Sequence, residues 1–319
     1  MNRQFLSADE VTRILEGRLG RLHARQRMGI EGEHEAQVFG QGLTFFHLEN
    51  LPGSAGAIEA LLKLSGLYGR GRENAARVEL RENRVASARI PKAFDGFRLL
   101  HLSDLHADIS PEAMTSARAL VATLDYDLCV LTGDYRGQTH GPYLPTLEAM
   151  ADLIEALRGE VFGVLGNHDS IRMTPDLERM GVRMLLNEHV AISRGDEEIF
   201  VIGVDDAHFF RVDNLEKAAD GVSEEAFSIL LSHTPEIYRQ AAHAGFDLML
   251  SGHTHGGQIC LPGGFPVTLE AHLPRRMGRG AWVYGDMAGY TSAGCGSSVV
   301  PVRFNCPPEI TLHKLVRLG

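Results

Sequence analysis

The chain has 319 residues, 44% hydrophobic and 23% charged, the composition of a soluble globular protein with room for one large domain and an appendage. Its formal net charge of −10 argues against a nucleic-acid scaffold, which needs a basic face, yet it leaves a phosphate ligand open, because a bound metal dominates its local field. No apolar run nears the roughly 20 residues of a membrane span, and the first residues lack a signal-peptide h-region.

Ser7 and Glu10 have the spacing of a capping box. A helix is expected after them, with Val11, Ile14, Leu15, Leu19 and Leu22 at helical spacing and a stop near Gly29. Arg13, Arg18, Arg21, Arg25 and Arg27 decorate it. A second helix is expected from Ile58 through Leu61, Leu62, Leu64 and Leu67, after the breaker Leu51-Pro52-Gly53, with Arg70, Arg72 and Arg77 beyond it. Basic amphipathic helices either lie on an anionic membrane or pack on their own domain with a solvated face. Glu16, Glu31, Glu33 and Glu35 dilute the positive charge and favour the second reading, with peripheral membrane contact as the alternative. Residues 78–80 and 85–88 read as a hairpin about Glu82-Asn83, and Pro91 opens a linker. The expected division is therefore 1–90, a helical appendage with a short hairpin, and 91–319, the main domain.

In the main domain strands alternate with helices. Strands are expected at 97–102, 128–131, 161–165, 227–231 and 248–250, with helices at 112–124, 144–157, about 175–180, and 235–244. A β-rich patch covers 182–186, 190–193 and 199–204, and further strands are expected at 282–284 and 310–316. Alternation argues for an α/β fold with a mostly parallel sheet; the hairpins argue for a mixed one.

Five strand ends carry the same signature, a small residue and then Asp, Asn or His: Ser103-Asp104-Leu105-His106, Thr132-Gly133-Asp134, Gly166-Asn167-His168-Asp169, Ser232-His233, and Gly252-His253-Thr254-His255. Ligands of open α/β sheets bind at the carboxyl ends of strands. One such residue is a turn former; five in succession mark a site. His101, inside a strand, reads as a satisfied core histidine. Asp205-Asp206 suits a turn, and His140, His208, His243 and His272 lack ligand-like context. Cys260 lies near the His-x-His loop without a partner base, so a nucleophile role is not expected. The four cysteines, Cys129, Cys260, Cys295 and Cys306, form no Cys-x-x-Cys pair, so a cytoplasmic protein is expected, with the inner face of the membrane as its peripheral contact.

These blocks, in this order, resemble the calcineurin-like metallophosphoesterases over residues 97–316. The tail around Val302-Arg303-Phe304-Asn305-Cys306-Pro307-Pro308-Glu309-Ile310 is similar to the branch of YkuE- and YaeI-like phosphodiesterases, which includes the LpxG type of UDP-2,3-diacylglucosamine hydrolase. Tyr135-Arg136-Gly137 follows Gly133-Asp134 where many members carry a further acidic residue or Asn, which suits that branch. The resemblance implies a sandwich of two mixed β-sheets flanked by helices. It implies two divalent ions, one held by Asp104, His106 and His255, the other by Asn167, His233 and His253, with Asp134 between them. It also implies hydrolysis of a phosphoester or diphosphate by in-line attack of a metal-bridging hydroxide.

Imidazole and carboxylate donors suit Mn first, with Fe, Zn or Co as alternatives, over Ca or Mg. Two dications against Asp104 and Asp134 leave a surplus of +2, which favours an anionic phosphoryl group, and centres about 3.5–4 Å apart suit in-line displacement. His168 is the expected proton donor to the leaving oxygen, with Asp169 either holding its ring or capping the loop. Gly256-Gly257 allow close backbone approach. A UDP-2,3-diacylglucosamine-type lipid-linked substrate is the alternative of the same class. An amidohydrolase or metallo-β-lactamase-like enzyme would place its His-x-His early, whereas here it comes last. A metal-free scaffold would have lost ligands that are all present here.

Overall fold

A computed structural model describes residues 5–33 and 54–319. The expected breaker at 51–53 and Glu35 lie outside the described residues. Two six-stranded mixed sheets pack face to face between layers of helix. The first sheet contains β1 (Glu79–Ser87), β2 (Arg98–Leu102), β3 (Leu128–Leu131), β4 (Val161–Gly163) and β5 (Val182–Met184). The second contains β6 (Glu188–Arg194), β7 (Glu197–Gly203), β8 (Phe227–Leu231) and β9 (Leu248–Ser251). A short ribbon, β10 (Cys260–Leu261) and β11 (Phe265–Pro266), precedes β12 (Gly280–Tyr284) and β13 (Met287–Thr291) of the second sheet and β14 (Glu309–Arg317) of the first. The orders are β1-β14-β2-β3-β4-β5 and β12-β13-β9-β8-β7-β6, so the expected sandwich of mixed sheets is what the chain forms.

Every residue of β3, β8 and β9 is buried, as parallel strands covered on both faces must be. One face of each sheet meets the other: Leu99, Val130 and Phe162 of the first pack with Val201, Ile229 and Leu250 of the second. The outer face of the first sheet is covered by α1 (Ala8–Leu19), α5 (Pro111–Val121), α6 (Leu144–Ile154) and α7 (Thr174–Arg179), through residues such as Leu15, Ala117, Met150 and Leu177. The outer face of the second sheet packs on α8 (Leu215–Ala218) and α9 (Tyr238–His243).

Three local expectations change. The capping box forms, but the first helix ends at Leu19, because Gly20 takes φ 83, and a separate helix, α2 (Arg21–Glu33), follows. Leu22 is consequently 80% exposed rather than part of the apolar stripe. The second predicted helix is also two, α3 (Ser54–Leu64) and α4 (Tyr68–Ala76), with Leu67 at the junction. The hairpin expected at 78–88 is one nine-residue strand, β1, paired in parallel with β14 from Glu79↔Glu309 to Ser87↔Arg317. Its polar centre, which read as a turn, is the exposed side of an edge strand. No described helix is long and apolar enough to cross a membrane.

Candidate metal centre

The loops leaving β2, β3 and β4 of one sheet and β8 and β9 of the other bring their polar residues to one place. Asp104, His106 and His255 each offer an atom within 4.8 Å of the others, and Asp134, His233 and His253 do the same. Asn167 joins the second group, its Oδ1 2.9 Å from His233 Nε2 and 2.8 Å from His253 Nδ1. Asp134 lies between the groups, with Oδ2 3.2 Å from His233 Nε2 and 3.9 Å from His106 Nε2. All seven are buried.

The backbone is bent to achieve this. Asp104, His106, Asp134, His253 and His255 have φ between 40 and 71, half of the ten non-glycine residues described with positive φ. Such conformations cost about 1–3 kcal/mol each and persist only where surrounding structure dictates them. Two glycines make room: a Cβ at Gly252 would collide with Ser103 Oγ and Asp104 Oδ2, and one at Gly166 with Asp134 Oδ1. The amide of His253 donates to both oxygens of Asp104, at 2.9 and 3.1 Å, which ties the first loop to the last.

The donor chemistry fits divalent cations. His106 Nδ1 donates to the Arg136 carbonyl at 2.8 Å and His233 Nδ1 to the Thr132 carbonyl at 2.8 Å, so each turns its Nε2 inward. Burial pushes His106 down to about 4 and holds His253 and His255 well below the usual range, aided at His253 by His208 and at His255 by His106 and Arg303. These rings are therefore neutral, the ligating form. Burial alone would depress His233, but the charge of Asp134 and the hydrogen bond to it raise it to about 10. The Nε2–H of His233 faces Asn167 Oδ1 and Asp134 Oδ2.

His168 lines the cavity beside this cluster, with Nε2 3.9 Å from Asp134 Oδ2 and Nδ1 3.2 Å from Thr139 Oγ1. Asp169 does not hold that ring. One carboxylate oxygen accepts from the amides of Asp134 and Gly166, both at 2.8 Å, and the other from those of Tyr135 at 2.9 Å and Arg136 at 3.3 Å. It is the buckle of two site loops.

A family model described as calcineurin-like phosphoesterase matches residues 97–257. Among Bacillus subtilis proteins, the metallophosphoesterase YkoQ is 30% identical over 230 residues, covering 68% of this chain and 83% of its own. YkuE is 30% identical over 281 residues, covering 83% and 96%. The chain belongs to the calcineurin-like phosphoesterase family. It is a metallophosphoesterase, a hydrolase of phosphoric esters whose family works with divalent metal ions. The Escherichia coli phosphodiesterase YaeI is 28% identical over 234 residues, covering 69% of this chain and 82% of its own.

In this metallophosphoesterase two further side chains contact the donor groups: His208, which sequence reading set aside, and Arg303. His208 packs against His253 with ring centroids 4.1 Å apart and planes tilted by 49°, and its Nδ1 is 2.6 Å from Glu236 Oε2. The pair with His208 keeps Glu236 well below the carboxylate range despite burial. His208 follows β7, a sixth strand end bearing Asp and His, so the rule that found the other five reaches it too. Arg303, fully buried, sets Nη2 3.2 Å from His255 Nδ1 and 2.8 Å from the Ala293 carbonyl.

His101 is the core histidine expected, 2.8 Å from Thr132 Oγ1. Asp206 makes the expected turn, accepting from the amides of Phe209 and Phe210 at 2.7 and 2.6 Å, whereas Asp205 meets Arg27 and His23. Burial pushes the Cys260 thiol up to about 11, unsuited to a nucleophile. His140, His243 and His272 are in neither donor group.

Proposed function

We propose that this chain is a dinuclear phosphohydrolase acting on phosphodiester or diphosphate bonds. Asp104, His106 and His255 would hold one divalent ion, and Asn167, His233 and His253 the other, with Asp134 shared. The observation that carries this reading is the position of Asp134 between two convergent donor groups. Bound ions would supply a nucleophilic water at neutral pH, Lewis acidity toward the phosphoryl oxygens, and a template for in-line displacement.

The chain's own residues do the rest. With only Asp104 and Asp134 charged among seven donors, the cradle is short of negative charge and favours an anionic substrate. His168, at the cavity wall, is placed to protonate the leaving oxygen, and the Thr139 hydroxyl at its Nδ1 fixes the ring. The Arg136 guanidinium binds the carbonyls of His168 and Thr139 and so orients that ring's backbone. The donor set suits Mn, with Fe, Zn or Co as alternatives.

A second reading, a lipid-linked diphosphate such as a UDP-diacylglucosamine, is favoured by the far wall of the cavity. Ile58 of α3, Ile259, Val299 and Val300 line the same cavity as His168 and Asn167. Val299 sits at φ 60, costly for a β-branched residue, and the nearby Leu61 and Phe265 are each 68% exposed. An acyl chain would cover such a wall. Four buried free thiols support a cytoplasmic enzyme, with α3 as its peripheral contact to the membrane's inner face. Because β1 pairs with β14, the appendage is better drawn as residues 1–78 than 1–90.

Metal analysis of the purified protein, followed by assay on bis-p-nitrophenyl phosphate, tests the main reading. Two ions per chain and turnover abolished by chelation are expected. A folded protein with neither ions nor turnover would be the metal-free scaffold instead. Screening the Mn-loaded enzyme against nucleotide diesters, phosphomonoesters and lipid-sugar diphosphates separates the substrate readings.

A further inference from the structure

Arg27 and Glu31 of α2 lie more than 130 residues before the Asn167-His168 loop, yet they are built into it. Glu31 Oε1 accepts from the Ile171 amide at 2.7 Å and Oε2 from the Ser170 hydroxyl at 2.7 Å. Arg27, fully buried, donates through Nη1 to Glu31 at 2.7 Å and through Nη2 to the Asp169 carbonyl at 3.0 Å. Its Nε is 3.6 Å from Asp205 Oδ1, and its guanidinium carbon lies 3.3 Å from the centre of the Phe210 ring. His23, one turn earlier, reaches Asp205 Oδ2 at 3.1 Å.

A buried guanidinium without partners would be prohibitively costly, so these contacts are obligatory rather than incidental. They join the two loops that flank the second donor group. One carries Asn167 and His168, and its Asp169 carboxylate clasps the Asp134 amide. The other carries His208, whose ring packs tilted against His253.

The geometry points to Arg27 and Glu31 as positioning residues for the reaction, which makes α2 a structural part of the active site rather than a recruitment tag. They touch neither the donor atoms nor the cavity. They act by fixing where Asn167, His168 and His208 stand. The inference rests on the dinuclear reading above for its kinetic consequence, but its structural half stands apart from it.

The test uses the full chain with Arg27→Ala, Glu31→Ala and Glu31→Gln, and with Arg18→Ala as comparison. Arg18 ties α1 to Glu178, Glu188 and the Met184 carbonyl, away from the donor loops. For Arg27→Ala and Glu31→Ala, kcat on bis-p-nitrophenyl phosphate should fall about tenfold or more with KM within about twofold, since small misplacement of reacting groups acts on turnover. Amide exchange at 166–171, measured on chelated protein, should quicken about tenfold. Arg18→Ala should lower the melting temperature while leaving kcat and this exchange unchanged. Folded Arg27→Ala and Glu31→Ala proteins with parental kcat and exchange would overturn the inference. If either alanine variant fails to fold, Glu31→Gln decides by the same two readouts, because it keeps the side chain's volume and removes only its charge. Absence of ions or turnover in the parent protein would sink the dinuclear reading alone, since exchange in chelated protein is read independently of it.

Discussion

The two donor groups share a geometry and differ in their hold on protons. Around Asp104, His106 and His255, burial keeps the rings neutral, and Arg303 stands behind His255 as a fixed cation. Around Asn167, His233 and His253, the one carboxylate is the shared Asp134. The charge of His233 and the hydrogen bond to it, foremost, hold Asp134 well below the carboxylate range against the push of burial. That pairing keeps a proton on His233 at neutral pH. The rings of the first group are neutral, whereas the second holds a charged ring, His233. Similar side chains in similar burial are thus set to different tasks by what stands one contact further out.

Removing Asp134 should erase the difference, because it serves both groups. Asp134→Ala is expected to lower kcat on the order of 10³-fold or more and to reduce bound metal toward zero, read by steady-state assay and metal analysis. His255→Ala and His253→Ala should sharpen it. Each should leave about one ion per chain and cost roughly 10²-fold in turnover. The ion kept by His255→Ala should show the steeper pH dependence, because it sits in the proton-holding group. Equal pH dependence in the two variants would contradict the comparison.

The smallest effect is on the chelated protein. His233 is raised from 6.5 to about 10. Its proton therefore stabilises the folded state fully below pH 6.5, and that contribution is lost as pH rises toward 10. Asp104, pushed from 3.8 up to about 6 by burial, acts with the same sign at lower pH. Melting temperature after chelation should fall between pH 7 and 10, and the metal-loaded protein should not share that fall.

The donor set was legible because each member follows a short apolar strand, and both signals are local. The two-sheet architecture was legible only through the family resemblance, since alternation alone argued for one mostly parallel sheet. Arg27 and Glu31 were illegible for the opposite reason. On a helix rich in arginine and glutamate they read as a solvated face, and only docking against 169–171 and Asp205 buries Arg27 and half-buries Glu31. The hairpin misreading of 78–88 has the same origin, because the partner of β1 lies some 230 residues away. Splitting the first helix at Gly20 needed only the weight of one glycine.

β14, residues 309–317, runs through the interior of the first sheet between β1 and β2. During synthesis from the N-terminus, β1 has no neighbour, and β2 an unfilled flank, until residue 317 clears the ribosome. The loop after β2, with Asp104 and His106, meets Gly294 and Gly296 just before that last strand. The loop that carries Asp104 and His106 therefore gains its backing only once β14 has emerged.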